Sequence, residues 1–142
     1  MTPTIDDIRG DFELLDDWED RYRYLIELGR TLEPMPDGSM NDETKVRGCV
    51  SQVWLLSHSD DAHPPHLSFQ GESDAHIVRG LVAVALAIFS GKTAPEILDT
   101  DAEAVFAEFG LQDHLTPQRS NGLRSMVNRI KNDARAALDQ AA

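Results

Sequence analysis

Apolar residues recur at helical spacing from the start of the chain. Ile5, Ile8, Phe12 and Leu15 mark one face and predict a helix over residues 5–16, with Thr4 as its cap and Asp7 as the acid of a capping box. Asp17 reads as the cap of a second helix carrying Trp18, Tyr22, Leu25, Ile26 and Leu32, which must stop before Pro34. These two form a helical hairpin, and PMPDGSMNDET, residues 34–44, is a loop by composition. The pattern then turns strand-like. Residues 50–57, with Val53, Trp54, Leu55 and Leu56, and residues 67–70 read as an antiparallel pair, with a short edge strand expected at 45–47. The HSDDAHPPH connection cannot supply a full ladder, because Pro64 and Pro65 lack N–H groups.

The helical period returns after GESDAHIV. Ser73 reads as an N-cap with Asp74 in the first turn, and residues 75–89 are apolar nearly all round, as a buried central helix requires. Thr93 with Glu96 and Thr100 with Glu103 have capping-box spacing and predict two short helices, the second ended by Gly110. A long amphipathic helix closes the chain on a stripe of Leu123, Met126, Val127, Ile130, Ala134 and Leu138. The expected architecture is α+β: one domain over residues 1–142, with a small antiparallel sheet of about three strands packed against helices.

Composition narrows the function classes. The 13 Lys+Arg against 25 Asp+Glu give a net charge of −12, a field that repels phosphate backbones and anionic lipid, so neither nucleic acid nor membrane is expected as a partner. Residues 1–20 hold eight acids and one arginine, whereas Arg119, Arg124, Arg129, Lys131 and Arg135 give the last segment a basic face open to a protein partner. The opening MTPTIDDIRGDFELL lacks the features of a signal peptide. The longest apolar run, residues 81–89, falls short of the ~18–20 residues a spanning helix needs. One cysteine forms no internal disulfide, which suits a reducing compartment, and the expected location is the cytoplasm.

That cysteine sits in KVRGCVSQVWL, residues 45–55. A free cysteine is often only a small buried hydrophobe. Three neighbours argue for more. Gly48 permits a turn closed to other residues, Lys45 and Arg47 are cations that favour thiolate, and the position lies where a strand begins. A cysteine hydrolase needs a histidine base, and the spacing of His58, His63, His66, His76 and His114 points none of them at Cys49. A dithiol oxidoreductase needs a second cysteine, and an iron–sulfur cluster needs several thiolates. What one sulfur can do unaided is attack an outer sulfur on another protein, hold it as a persulfide and pass it on. HSDDAHPPH offers His58, Asp60, Asp61, His63 and His66 as possible ligands, but HxxxxHxxH fits no firm zinc template, and a polar hairpin loop without metal is expected.

Four segments carry a resemblance. WEDRYRYLIELGRTL, the GCxSxVW motif in KVRGCVSQVWL, GESDAHIVRGLVA and HLTPQRSNGLRSMVNRI stand in the order and spacing found in the SufE family of sulfur acceptors, and the match spans nearly the whole chain. The resemblance implies a fold similar to that of the iron–sulfur scaffold protein, without the scaffold's ligands. It implies that Cys49 accepts persulfide sulfur from a pyridoxal-phosphate-dependent cysteine desulfurase, stimulates that enzyme and relays the sulfur to cluster-assembly scaffold proteins. Gly48, Ser51 and Gln52 surround the thiol in the motif; Asp74 matches the family's helix-opening acid and Arg119 the arginine of its PxR segment. No cofactor is expected in this chain, since the pyridoxal phosphate is the partner's, and the chain acts as a sulfur carrier rather than an independent enzyme. The resting cysteine is expected to tuck against apolar residues and to swing out on docking. Three other readings stay open: an acidic adaptor whose buried cysteine is inert, a redox-sensing thiol domain, and a paralogous acceptor serving a different desulfurase.

Overall fold

The capping chemistry at the head of the chain is in place. In a computed structural model that describes residues 3–49 and 51–141, the Thr4 hydroxyl accepts from the Asp7 N–H and the Asp7 carboxylate accepts from the Thr4 N–H, both at 3.1 Å. This box opens α1, Ile5–Glu13, which buries Ile8 and Phe12. The helix ends three residues before the expected boundary. Arg21 supplies the reason: its guanidinium takes the Leu15 carbonyl at 2.8 Å and the Phe12 carbonyl at 3.1 Å, satisfying acceptors that further helix would otherwise have used. Asp17 caps α2, Trp18–Gly29, by accepting from the Glu19 N–H at 3.1 Å.

The sheet is one antiparallel pair, β1 (Val53–Ser59) and β2 (Leu67–Ser73), in register from Val53 opposite Ser73 to Ser59 opposite Leu67. Val50, expected in the first strand, lies outside the described residues. The expected third strand is reduced to a single bridge of Lys45 to Trp54, although Val46 N–H still reaches the Val53 carbonyl and Leu55 N–H the Thr44 carbonyl, each at 2.8 Å. A turn leads into this piece, with the Asn41 side-chain oxygen accepting from the Glu43 and Thr44 N–H groups, and Gly48 at φ +89° takes the chain away again. There is no room between them for a ladder. The polar connection between β1 and β2 is closed by Asp60, whose carboxylate accepts from the Ala62 N–H, the His66 N–H and the His66 ring.

Strand β2 runs past Gln70 to Ser73, and this shifts the start of α3, His76–Phe89, away from the expected cap. Ser73 is buried in the strand, the N-cap is Ala75, and Asp74 turns back toward Gln52 instead of occupying the first helical turn. The outcome follows from competition: pairing of Ser73 with Val53 holds it extended, so the helix begins later. Helix α3 is the buried centre of the molecule, and β1 and β2 cover it with Val53, Leu55, Leu67 and Phe69. Around it lie α4 (Ala94–Asp99), α5 (Ala102–Glu108), α6 (Leu111–His114) and α7 (Pro117–Ala141). Thr93 and Glu96 form the expected box, but α5 is capped by Asp101, accepting from the Ala104 N–H at 3.2 Å. The Thr100 hydroxyl is spent on the Glu96 carbonyl, closing α4. Gly110, at φ +73°, ends α5 and at once starts the unexpected single turn of α6. Helix α7 buries Leu123, Met126, Ile130 and Ala134 as its stripe predicts, while Val127 and Leu138 are only half-buried against the core. Among the described residues no helix is long and apolar enough to cross a membrane.

Two glycines let α2 and α3 touch backbone to backbone. A Cβ at Gly80 would sit 2.6 Å from the Leu25 carbonyl carbon, and one at Gly29 would sit 2.8 Å from the Gly80 nitrogen. Neither backbone can give way inside packed helices. Gly80→Ala is therefore expected to lower the unfolding free energy by about 1–3 kcal/mol, the range for overpacking a filled core. Urea denaturation measures it, and a change below about 0.5 kcal/mol, the level of an ordinary surface substitution, would refute the contact.

Candidate functional site at Cys49

The thiol loop leaves the sheet edge at Gly48 and lies against α7. Gly48 is required there twice over: its φ of +89° disfavours a side chain, and a Cβ would meet Ser125 Oγ at 2.5 Å. One residue on, Cys49 is half-buried, and its thiol donates to the Gly122 carbonyl at 3.5 Å. Gly122 and Ser125 stand three apart on α7 and so share the face that the loop covers. The sulfur opens into a cleft of about 250 Å³ lined by Ser51, Val78, Leu81, Arg119 and Met126. The tucked, apolar setting expected for a resting cysteine is the one found.

Beyond the thiol the chain is tied down by Asp74. Its carboxylate accepts from the Gln52 N–H at 3.1 Å, and its own N–H donates to the Gln52 carbonyl at 3.3 Å. The structure thus brings together all six residues singled out around the thiol. Cys49, Ser51 and Arg119 share the cleft, Gly48 makes the turn, and Gln52 and Asp74 fasten the far end of the loop.

Electrostatics depart from expectation. Burial pushes the Cys49 thiol above its ordinary pKa, disfavouring the charged form, and it is the cause of the shift. The expected thiolate-favouring pull of Lys45 and Arg47 is not expressed in this resting arrangement, where Arg47 is exposed and Lys45 lies along the sheet edge. The basic face of α7 is also largely spoken for: Arg124 pairs with Glu103, Arg129 with Asp133, Lys131 with the Thr100 carbonyl and Arg135 with Asn132. Among the described residues, Lys45, Arg47 and Arg119 are the cations whose side chains have neither an ion pair nor a hydrogen bond. All three belong to the loop or its cleft.

Three of the histidines are engaged elsewhere. His58 pairs with Gln70 at 3.0 Å, His66 with Asp60, and His114 stacks on Trp18 with ring centres 4.4 Å apart. Among the described residues no three His, Cys, Asp or Glu side chains are grouped to hold a metal. A larger cleft of about 690 Å³ lies between the hairpin and the ends of α1, α2 and α3, and Cys49 does not line it. Sequence reasoning missed Gly122, Ser125 and Arg129 as parts of the site. Gly122 carried a signal, because a glycine inside a long helix is costly unless something approaches closely. Arg129 carried none.

The site is thus a sheltered single thiol on a short loop, laid over a helix in an α+β domain, with neither histidine nor carboxylate among the residues lining its cleft. The chain belongs to the SufE family: the model of the SufE Fe-S metabolism associated domain matches residues 6–134. An uncharacterised SufE-like protein of Rhizobium meliloti (strain 1021) is 59% identical over 136 residues, covering 95% of this chain and 97% of that one. A second, from Rhizobium etli, is 56% identical over 133 residues, covering 93% and 90%. The solution structure of a hypothetical protein from Thermus thermophilus has the same fold, with a TM-score of 0.73 over 98% of both chains at 20% identity.

Because burial disfavours the thiolate, the folded protein holds less of it at any given pH than an unfolded chain does. Iodoacetamide alkylation of native Cys49 should therefore rise with pH through an inflection above the ~8.5 of an ordinary thiol. In denaturant the inflection should return to the ordinary value. A native inflection at or below that value would contradict the sheltered thiol.

Proposed function

We propose that this protein accepts sulfur on Cys49 from the persulfide of a pyridoxal-phosphate-dependent cysteine desulfurase and delivers it to iron–sulfur cluster assembly. Membership of a family associated with Fe-S metabolism supports the pathway. The observation that carries the chemistry is the lone thiol, held to α7 by one weak sulfur hydrogen bond in a cleft whose lining holds no histidine or carboxylate to act as base. Such a group suits exchange with an activated sulfur better than hydrolysis.

The step balances without an outside oxidant. Cys49 loses its proton and attacks the outer sulfur of the donor persulfide. A new S–S bond forms on Cys49, the donor's S–S bond breaks, and the donor cysteine leaves as thiolate. Sheltered against α7 the thiol stays largely neutral, so nucleophilicity must come from release of the loop into the donor's site, where burial against this chain no longer opposes ionisation. Arg119, which lines the cleft and has no ion pair or side-chain hydrogen bond among the described residues, would stabilise the sulfur anion as it emerges. Downstream, a scaffold thiol repeats the exchange and returns Cys49 to its reduced state.

The same burial favours one other reading, an adaptor whose cysteine is inert. The two separate on the behaviour of Cys49 with a donor present. Cys49→Ser should fold with an unchanged circular dichroism spectrum and fail to stimulate the cognate desulfurase. The wild-type chain, after incubation with active donor and cysteine, should gain a reducible single-sulfur mass increment. Full stimulation by Cys49→Ser, or no adduct with any donor tried, establishes the adaptor. Turnover compared across different desulfurases identifies the partner and decides between the paralogous lines. For Arg119→Ala, sulfur acceptance should slow by about tenfold with docking affinity kept, the loss of one charge-assisted contact. An unchanged rate removes Arg119 from the chemistry.

A further inference from the structure

The thiol loop has two roots, and only one of them is held by a residue with an expected role. Asp74 fastens the root after the thiol through Gln52. The root before it, at Glu43 to Lys45, is held from α7 by Arg129. Its Nη2 donates to the Glu43 carbonyl at 2.6 Å and its Nη1 to the Lys45 carbonyl at 3.3 Å. Asp133, one turn further along, takes the remaining edge, Nε to Oδ1 at 3.2 Å, and so aims the fork at the loop. Both side chains are about three-quarters buried, at 27% and 21% exposure, so these bonds are partly shielded from water.

Gly122, Ser125 and Arg129 are spaced three and four apart on α7, one continuous face about 10 Å long. Along it the helix meets the thiol, then the glycine turn, then the root. The sulfur itself is bonded weakly, and the Gly48 contact is steric. Polar attachment of this root to α7 therefore falls to the guanidinium.

We infer that Arg129, aimed by Asp133, is a positioning residue for Cys49: its two bonds to the loop root set how readily the thiol leaves its shelter on α7. It touches no reacting atom and acts through the Glu43 and Lys45 backbone. A lysine cannot replace it, because one ammonium on a flexible stem does not present two donors in a fixed plane with a third edge anchored. The inference rests on the sulfur-acceptor reading for its importance to function, but its geometry does not.

The test uses the full chain alone, with iodoacetamide as probe and urea as a second axis. Arg129→Gln should be alkylated at Cys49 about fivefold faster than wild type at one pH, because local opening no longer breaks the two bonds. Arg129→Lys should resemble Arg129→Gln rather than wild type. Asp133→Asn keeps the guanidinium but unaims it, and should accelerate alkylation about twofold. A role confined to overall stability would raise the rate only through global unfolding, and that route steepens sharply with urea. The expected acceleration is instead nearly flat in urea below the unfolding transition. A wild-type rate in folded Arg129→Gln, or an acceleration with the full urea dependence of unfolding, overturns the assignment. Should Arg129→Gln fail to fold, a wild-type rate in Asp133→Asn does the same. No donor enzyme is involved, so failure of Cys49 to carry sulfur would leave this result readable.

Discussion

The site depends on one steric fit, the contact of the glycine turn and the thiol with the face of α7. A Cβ on Gly48 would meet Ser125 Oγ at 2.5 Å, and Gly122, where a Cβ would come only into ordinary contact with Cys49, gives its carbonyl to the sulfur. The attraction across this fit is small. A thiol is a weak donor and 3.5 Å a long approach, so the sulfur does not hold the loop shut. Closure is governed at the roots, where Arg129 and Asp74 make charge-assisted bonds to backbone. On the proposed function, that separation would let the sulfur leave without first breaking a strong bond of its own.

Shelter has an electrostatic consequence. Burial raises the thiol's pKa and so biases it against the thiolate while it lies in the cleft. In the closed arrangement the neutral group resists oxidation and adventitious alkylation, since both chemistries act on the thiolate. The raised pKa and the weak hydrogen bond therefore describe one device: a thiol protected by environment instead of by a bonded partner.

Most of the framework was legible in the sequence. The cap at Thr4, the capping box at Thr93 and the apolar α3 are local signals that stand as read, and four of the six stripe residues of α7 are buried. The misses share a physical origin in tertiary competition for a polar group. Ser73 has a helix-cap side chain but is kept extended by Val53 across the sheet, and Thr100 gives its hydroxyl to the Glu96 carbonyl, leaving the cap to Asp101. Residues 45–47 have strand-like composition yet lie between the Asn41 turn and the Gly48 reversal, which leaves one bridge where a strand was expected. At the site, the family motif singled out the residues that lie together around Cys49, but Asp74, expected in the first turn of α3, fastens Gln52 instead. The Arg129 clamp was not, since its partners are backbone carbonyls 84 and 86 residues away that carry no sequence signature.

On the proposed function, charge placement suits this end of an acidic molecule to meeting another protein. With a net charge of −12 there are ample carboxylates to engage every cation internally; along α7, Arg124 and Arg129 are paired with acids, while Lys131 and Arg135 are held by a backbone carbonyl and an amide. Lys45, Arg47 and Arg119 have no such partner among the described residues, and they gather where the thiol is. A surface that forms an ion pair across an interface gains more from a free cation than from one that must first abandon an internal acid, because only the former avoids leaving a carboxylate unpaired. The acidic remainder of the surface meanwhile disfavours approach by other acidic faces except at this spot. Complementarity of that kind orients encounter more than it adds affinity, and on the proposed function it would direct a donor protein to the end of the molecule that carries Cys49.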